Sequence, residues 1–550
     1  MANLIDITTS ILSQNTICFE TRNINIEHIP VPIENSKFGI LNFKAVTANQ
    51  VNSELDFVFM IDCSGSMSDR CSDGRSKMQH IIHTLKNMII FFREKPSAII
   101  NFTVKTFDTQ IYSVINRTKI TDENFDEIIT KIEQIRPLGS TNIESALRES
   151  ADIITYLQEL YPENIINHIF MTDGEATDGS KDIEVLKNSV NPQIFNAFIG
   201  FGIDHDAPLL NSISSVGKSC YYFVDKLESA GIVYGEILHR IIYNLLTDVE
   251  IIIEGGLIYN FKTNIWEQSI RIEDIVSEAN KTYNIVSNLP DECKVNVKGK
   301  IQELVILFPS TNIGSESNTD LTQHIYRQRT LQLLYEVNNF TRRRRESQIS
   351  NSNIFNFTTL ERNRQISYNL FNEEQKNIKT KLIALFDEIK KYMADNNLNE
   401  NKFLKNLCDD IYICYRTFGT KYGDMFITGR HTSQGSQRQY TVSNTSDIND
   451  NLYDNRNNNI RINPISPIDS LRVHRQNNIN YFNQPHLNDF IDDENDLYNN
   501  THPVISQHQL SAFDDTPYLT PQATQVIREI SCNTYEFDEE KNSRDTNSLF

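Results

Sequence analysis

The stretch FMIDCSGSM, residues 59–67, ends a run of apolar residues on a carboxylate, Asp62, and follows it with hydroxyls at Ser64 and Ser66. The preceding LDFVFMID (55–62) is apolar at nearly every position, as expected of a strand in a sheet covered on both faces. Three polar side chains at alternate positions in a turning loop can all face one point. In an open α/β sheet that point lies in the crevice outside the carboxyl ends of the strands, where ligands bind.

Two further segments belong with this loop. NIINHIFMTDG (164–174) is a second apolar strand ending in Asp173, and Thr141 stands in GSTN at the start of a helix. Two carboxylates and three hydroxyls make a hard, oxygen-only donor set drawn from three loops. That chemistry suits a divalent cation of the Mg2+ type, or Mn2+, with water completing an octahedral shell. Asp178, in TDGEATDG, reads as a solvated loop acid rather than a second ligand. Asp and Ser also cap loops and helices, so DxSxS on its own would be weak.

Outward from this point, strands alternate with helices. KMQHIIHTLKNMIIFFRE (77–94), FDEIITKIEQI and IESALRESADIITYLQEL carry apolar residues at helical spacing, and ESAGIVYGEILHRIIYNLLTD (228–248) reads as a long closing helix. SAIINFTVKTF, QIFNAFIGFG and KSCYYFVD read as strands between them. Residues 54–248 therefore predict an α/β unit, a doubly wound and mostly parallel sheet. Strand-like segments at 1–53 and 249–312 flank it. They predict one β-sandwich into which the α/β unit is inserted, because two or three strands alone bury too little. Residues 313–440 read as helical, with RRRR (342–345) a charged helix end or, alternatively, a nuclear-localisation or anion-binding patch.

Residues 441–550 hold 7 basic against 17 acidic side chains and long Asn runs, which predicts a largely disordered acidic tail. One segment stands apart. At 521–531, Thr520 is a good N-cap, Pro521 takes the first helical position, and Val526, Ile527 and Ile530 share one face. A helix this short is marginal alone, so it is expected to dock on the chain's own body or on another protein.

The formal charge of −20 argues against nucleic-acid or anionic-membrane partners, which require a basic face. No apolar run approaches the length of a membrane span. Eight cysteines without a CxxC pair form neither a zinc pattern nor a disulfide framework. MANLIDITTSILSQNTICFE lacks the basic start and apolar core of a signal peptide. These features predict an intracellular, reduced protein, cytoplasmic with the nucleus as alternative.

DCSGS, GST and TDG, in this order and with these elements between them, resemble the von Willebrand factor A family and its metal-ion-dependent adhesion site. The resemblance covers about 54–248 and matches Asp62, Ser64, Ser66, Thr141 and Asp173. It implies direct or near-direct ligation by the three hydroxyls, and ligation by the aspartates directly or through water. It also implies an open position that accepts a partner's Asp or Glu. The inserted layout and GRHTSQGSQRQYT (429–441) resemble intracellular members of the family, some joined to ubiquitin-ligase modules. No RING-like array is present, so ligase activity is not carried over.

Two functions follow as expectations. The first is a protein-binding module acting through the metal, without catalysis. The second is a component of an enzyme system, either a substrate recruiter or a metal-dependent hydrolase. A Ser64 nucleophile is disfavoured because G-x-S-x-G is absent. The partner's identity and the oligomeric state are not legible.

Overall fold

A computed structural model describes residues 11–22, 29–48, 54–71, 74–94, 99–202, 205–224, 230–301, 304–313, 319–352, 357–419, 421–438 and 518–532. The first strands among the described residues are β1 (Leu12–Phe19) and β2 (Lys37–Ala45), which pair antiparallel. The chain then enters the α/β unit through β3 (Leu55–Asp62), α1 (Lys77–Arg93), β4 (Ile100–Phe107) and β5 (Ile111–Lys119). Next come α2 (Phe125–Glu133), α3 (Ile143–Leu160), β6 (Ile165–Thr172), α4 (Ile183–Asn188) and β7 (Phe195–Phe201). α5 (Ala207–Ile213), β8 (Lys218–Val224) and α6 (Ala230–Ile242) complete it.

The six strands lie in the order β5-β4-β3-β6-β7-β8. All neighbours are parallel except the β4–β5 pair, a hairpin at the edge. All eight residues of β3 are buried, and the two-residue period of a strand sorts them between two cores. Phe57, Phe59 and Ile61 pack with α1, α2 and α6, whereas Met60 joins Phe107, Phe170 and Phe198 beneath α3. The helices start where their caps dictate. Ser76 and Gln79 form a capping box on α1, and Asn142 accepts from the Ser145 amide at the head of α3.

The sandwich is completed by β9 (Asn244–Glu254), β10 (Leu257–Asn260), β11 (Ile265–Glu267), β12 (Ser269–Arg271), β13 (Ile275–Val276), β14 (Asn280–Ser287), β15 (Lys294–Ile301), β16 (Leu304–Pro309) and β17 (Thr311–Asn312). One sheet runs β11-β10-β14-β2-β1-β17 and the other β12-β9-β15-β16, with β13 also on β9. Leu41 and Phe43 of β2 and Ile285 of β14 meet Ile251, Val295 and Val297 in the core between them. The α/β unit thus leaves the sandwich after β2 and returns to it at β9.

The closing helix is shorter than its apolar pattern predicts. It ends at Ile242 and the chain is strand from Asn244 onward, with Leu246, Val249 and Ile251 facing the sandwich core. Burial in that second core decides between helix and strand for an apolar run compatible with both.

The helical region comprises α7 (Thr322–Ser352), α8 (Phe357–Asp395), α9 (Lys402–Thr417) and α10 (Lys421–Ser436) around their own core. α7 continues past Arg342–Arg345, so that basic run lies within a helix rather than at its end. Arg343 there pairs with Glu374 of α8. Met425 and Phe426 of α10 pack on Tyr221 and Phe223, on the outer strand of the α/β sheet. At the junction, Glu273 meets Arg240 at 2.8 Å and Arg438 at 3.9 Å. Burial alone would raise its carboxyl, but Arg438 and Arg240 outweigh that and hold it far below the usual range. Lys281 donates to the Ser436 and Gln437 carbonyls at 2.7 and 2.8 Å.

From residue 441 on, the structure describes only 518–532, which include α11 (Pro521–Cys532). The expectation for the rest of the acidic tail falls outside the described residues.

Buried histidines give the fold a pH limit. His168, His205 and His431 are buried, and burial lowers each to about 4. An unfolded histidine titrates near 6.5, so the unfolded chain takes up more protons between 6.5 and 4. Stability is therefore full above that window and lost as pH falls through it. Each of the three contributes about 2 kcal/mol of loss at pH 5. Glu236, raised to about 7 by burial, works in the opposite direction over the same range. Urea midpoints are expected to fall between pH 7 and pH 5, and less steeply in His168→Asn. A flat profile would refute the assignment.

Candidate metal centre

The site sits where β3 and β6 end. Asp62, the last residue of β3, is fully buried. Its Oδ1 accepts from the Ser64 amide at 2.8 Å and its Oδ2 from the Thr172 hydroxyl at 2.6 Å. These bonds fix the carboxylate plane at the head of the loop. A single 3-10 turn, Gly65–Ser68, then folds the chain back. It brings the Ser64 and Ser66 hydroxyls to 3.1 Å from each other.

Ser66 Oγ donates to Asp173 Oδ1 at 2.8 Å, closing a chain of oxygens from the first loop to the loop after β6. Asp173, too, is fully buried. Thr141 arrives on the third loop. Its amide donates to Thr177 Oγ1 at 2.8 Å, and its carbonyl accepts from the Thr177 and Asp178 amides. A Cβ on Gly174 would lie 3.4 Å from Thr141 Oγ1 and 3.9 Å from Ser66 Oγ. Glycine there leaves open the space those two hydroxyls border. The structure thus brings all five sequence-predicted residues to one end of the sheet. Asp178 stays at the rim, exposed, 3.4 Å from the Asn142 amide nitrogen that donates to it.

The loops are held by their backbones. Gly65 N–H donates to the Gly139 carbonyl, and Leu138 N–H to the Cys63 carbonyl. Gly139 has φ +80°, and a Cβ there would sit 2.6 Å from Asp108 Oδ2, so both conformation and space require glycine. The buried Asp108 accepts the Gln110 amide at 2.7 Å, and its carbonyl accepts from Asn142, where α3 begins.

The sequence pattern did not single out Lys77. It is the first residue of α1, its side chain is 4% exposed, and Nζ donates to Asp173 Oδ2 at 2.7 Å. Asp69 Oδ2 lies 3.7 Å away on the solvent side. Thr172, which precedes Asp173, was likewise not singled out.

Burial and the neighbouring charge of Asp173 raise Asp62 to about 6. A divalent cation between the two carboxylates would remove that penalty, since an opposite charge favours the ionised form. The donors fit a hard cation. Each carboxylate oxygen has one hydrogen-bond partner named above and can accept more than one. All candidate donors are oxygens. Among the described residues no group of three or more His, Cys, Asp or Glu side chains is placed to hold a metal. Cys63, beside the site, is a free thiol raised to about 12 by burial. Cys71 is a free thiol as well.

Comparison with known proteins finds matches to the α/β unit. The family model for the von Willebrand factor type A domain matches residues 56–234. A von Willebrand factor A domain-containing protein of Dictyostelium discoideum is 26% identical over 227 residues, 39% of this chain and 23% of that protein. Inter-alpha-trypsin inhibitor heavy chain H2 of Mesocricetus auratus is 28% identical over 163 residues, 28% of this chain and 16% of that protein. The chain thus spans about a quarter or less of the length of these curated relatives. Among solved structures, a von Willebrand factor type A protein of Catenulispora acidiphila covers 60% of this chain and 82% of its own, with 14% identity and a TM-score of 0.42. Residues 56–234, which the family model matches, form a mixed α/β core with a parallel sheet of the von Willebrand factor A type, followed in the chain by a helical region.

Proposed function

We propose that the protein is an intracellular binding module, which captures an acidic side chain of a protein partner through a Mg2+-type ion. Asp62, Ser64, Ser66, Thr141 and Asp173 would hold the ion, which would supply an open coordination position for the partner's carboxylate. The observation that carries this reading is the run of oxygens from Ser64 through Ser66 to Asp173 Oδ1, closed by Thr141 across Gly174. It joins side chains from three loops at one end of the sheet. Mn2+ has the same preference for oxygen donors and is the alternative occupant.

No described helix is long and apolar enough to cross a membrane. The cysteines whose state is described are free, which supports a reducing compartment. No catalytic step is assigned to the site.

Calorimetric titration with Mg2+ tests the reading. The full chain is expected to bind one ion, and the double variant Ser64→Ala/Ser66→Ala to bind at least about tenfold more weakly, having lost two hydroxyl donors. That variant leaves both carboxylates and Lys77 in place, so the fold is retained. Equal Mg2+ binding by the two proteins would overturn the assignment.

A further inference from the structure

We propose that Lys77 sets the charge of the loaded site, weakening its hold on the cation while strengthening its hold on an anionic ligand. The inference rests on the metal-site reading above and adds a specificity determinant to it. Two buried carboxylates, Asp62 and Asp173, would just neutralise one divalent ion. The Lys77 ammonium, buried with them and 2.7 Å from Asp173 Oδ2, adds one positive charge. Counting the ion, the two buried carboxylates and Lys77, the inner site carries one positive charge. Asp69, 3.7 Å from the ammonium but on the solvent side, offsets it only in part, so an incoming carboxylate meets net attraction.

The placement of Lys77 argues that this charge is selected for the site rather than for the helix. Lys77 is the first residue of α1, where the helix dipole favours an acid and disfavours a cation, and the first turn has no acidic residue. A lysine at this position commonly extends into solvent. Here the side chain turns inward instead, and its ammonium is held between Asp173 and the more exposed Asp69. The α1 N-terminus adds its own partial positive charge on the same side. Asp173 therefore offers Oδ2 to an internal cation and Oδ1 to the hydroxyl chain of Ser66 and Ser64. At an effective dielectric near 20, a unit charge about 4 Å from an ion changes its affinity by roughly three powers of ten, so a tenfold shift is a lower bound that allows for the partial offset by Asp69.

A purely structural role predicts something different. If Lys77 only held Asp173 in place, removing it would weaken cation and ligand together. The charge role predicts that the two affinities move in opposite directions.

The test uses the full chain with Mn2+ as metal and acetate as the carboxylate probe, both followed by water-proton relaxation. Mn2+ binding raises the relaxation rate, and acetate that displaces metal-bound water lowers it again. In Lys77→Met, Mn2+ is expected to bind at least about tenfold more tightly and acetate about tenfold more weakly than in wild type. Lys77→Arg, which keeps the charge, is expected to stay near wild type in both. If Lys77→Met does not fold, Lys77→Gln removes the charge and keeps a donor for Asp173, and the same opposite shifts are required of it. Should wild type bind no Mn2+, the metal-site reading fails and this inference with it. If wild type binds Mn2+ but the two affinities in the neutral variant fall together or do not move, the inference alone is overturned.

Discussion

Asp173→Ala is expected to destabilise the α/β domain by about 3–5 kcal/mol, the usual cost of removing one partner of a buried ion pair. Both partners qualify as buried, Asp173 at 0% and Lys77 at 4% exposure. The substitution strips the ammonium of its closest counter-charge and leaves the more exposed Asp69 at 3.7 Å. It also removes the acceptor of the Ser66 hydroxyl. For a domain of this size the melting temperature should fall by roughly 10 °C. Combining it with Lys77→Met removes the stranded charge, and most of the loss should be regained. The double variant should still bind Mg2+ poorly, because a carboxylate is missing. Thermal melts of wild type, the two single variants and the double one complete the cycle. A single variant as stable as wild type, or a double variant no better than Asp173→Ala, would show that the pair carries no such energy.

The cycle also shows what the sequence could and could not disclose. Asp62, Ser64 and Ser66 stand at local spacing after one apolar strand, and Thr141 and Asp173 each border another strongly patterned element, so the sequence alone could propose that they meet. Lys77 was not, because a lysine at the start of a helix can extend into water or fold back, and only the position of Asp173, 96 residues away in the chain, decides. The parallel sheet was legible from apolar strands alternating with helices. Sandwich pairings such as Tyr283 of β14 opposite Leu41 of β2 join segments far apart in sequence, and no local pattern sets their register. The change from helix to strand at Asn244 was hidden for a related reason. EILHRIIYNLLTD supports either period, and the choice is made by which core receives Leu246 and Val249.

α11 supplies the second large expectation: Gly235→Leu should release it from the body while leaving the α/β domain folded. α11 lies against α6 and α1, with Val526, Ile527 and Ile530 each at most 2% exposed. Gly235 is a glycine in the interior of α6, where it costs about 1 kcal/mol relative to alanine. The compensation is close approach. A Cβ at Gly235 would lie 2.6 Å from Ile527 Cγ1 and 2.7 Å from Ile527 Cα, so the tail backbone itself occupies the space. The Asn87 amide donates to the Ile530 carbonyl at 3.0 Å, Gln522 N–H to Glu278 at 2.9 Å, and Gln522 Nε2 to the Ala48 carbonyl at 3.2 Å. Thr520 caps the helix through the Ala523 amide at 3.0 Å, and Pro521 holds the first position. Even so capped, twelve residues are marginal alone in water, so docking and folding of α11 are one event. Burying three such side chains stabilises the docked state by about 1.5–3 kcal/mol each as an upper bound. Leucine at 235 favours the α6 helix by propensity yet blocks the groove, which separates loss of docking from loss of α6. Ile527→Asp approaches the same contact from the other side by burying a charge. In both variants amide exchange across 522–530 should rise by roughly a hundredfold, equivalent to about 3 kcal/mol. Exchange within β3 and β6 should stay at wild-type rates. Unchanged protection of 522–530 in Gly235→Leu would mean that the helix is not held by this groove.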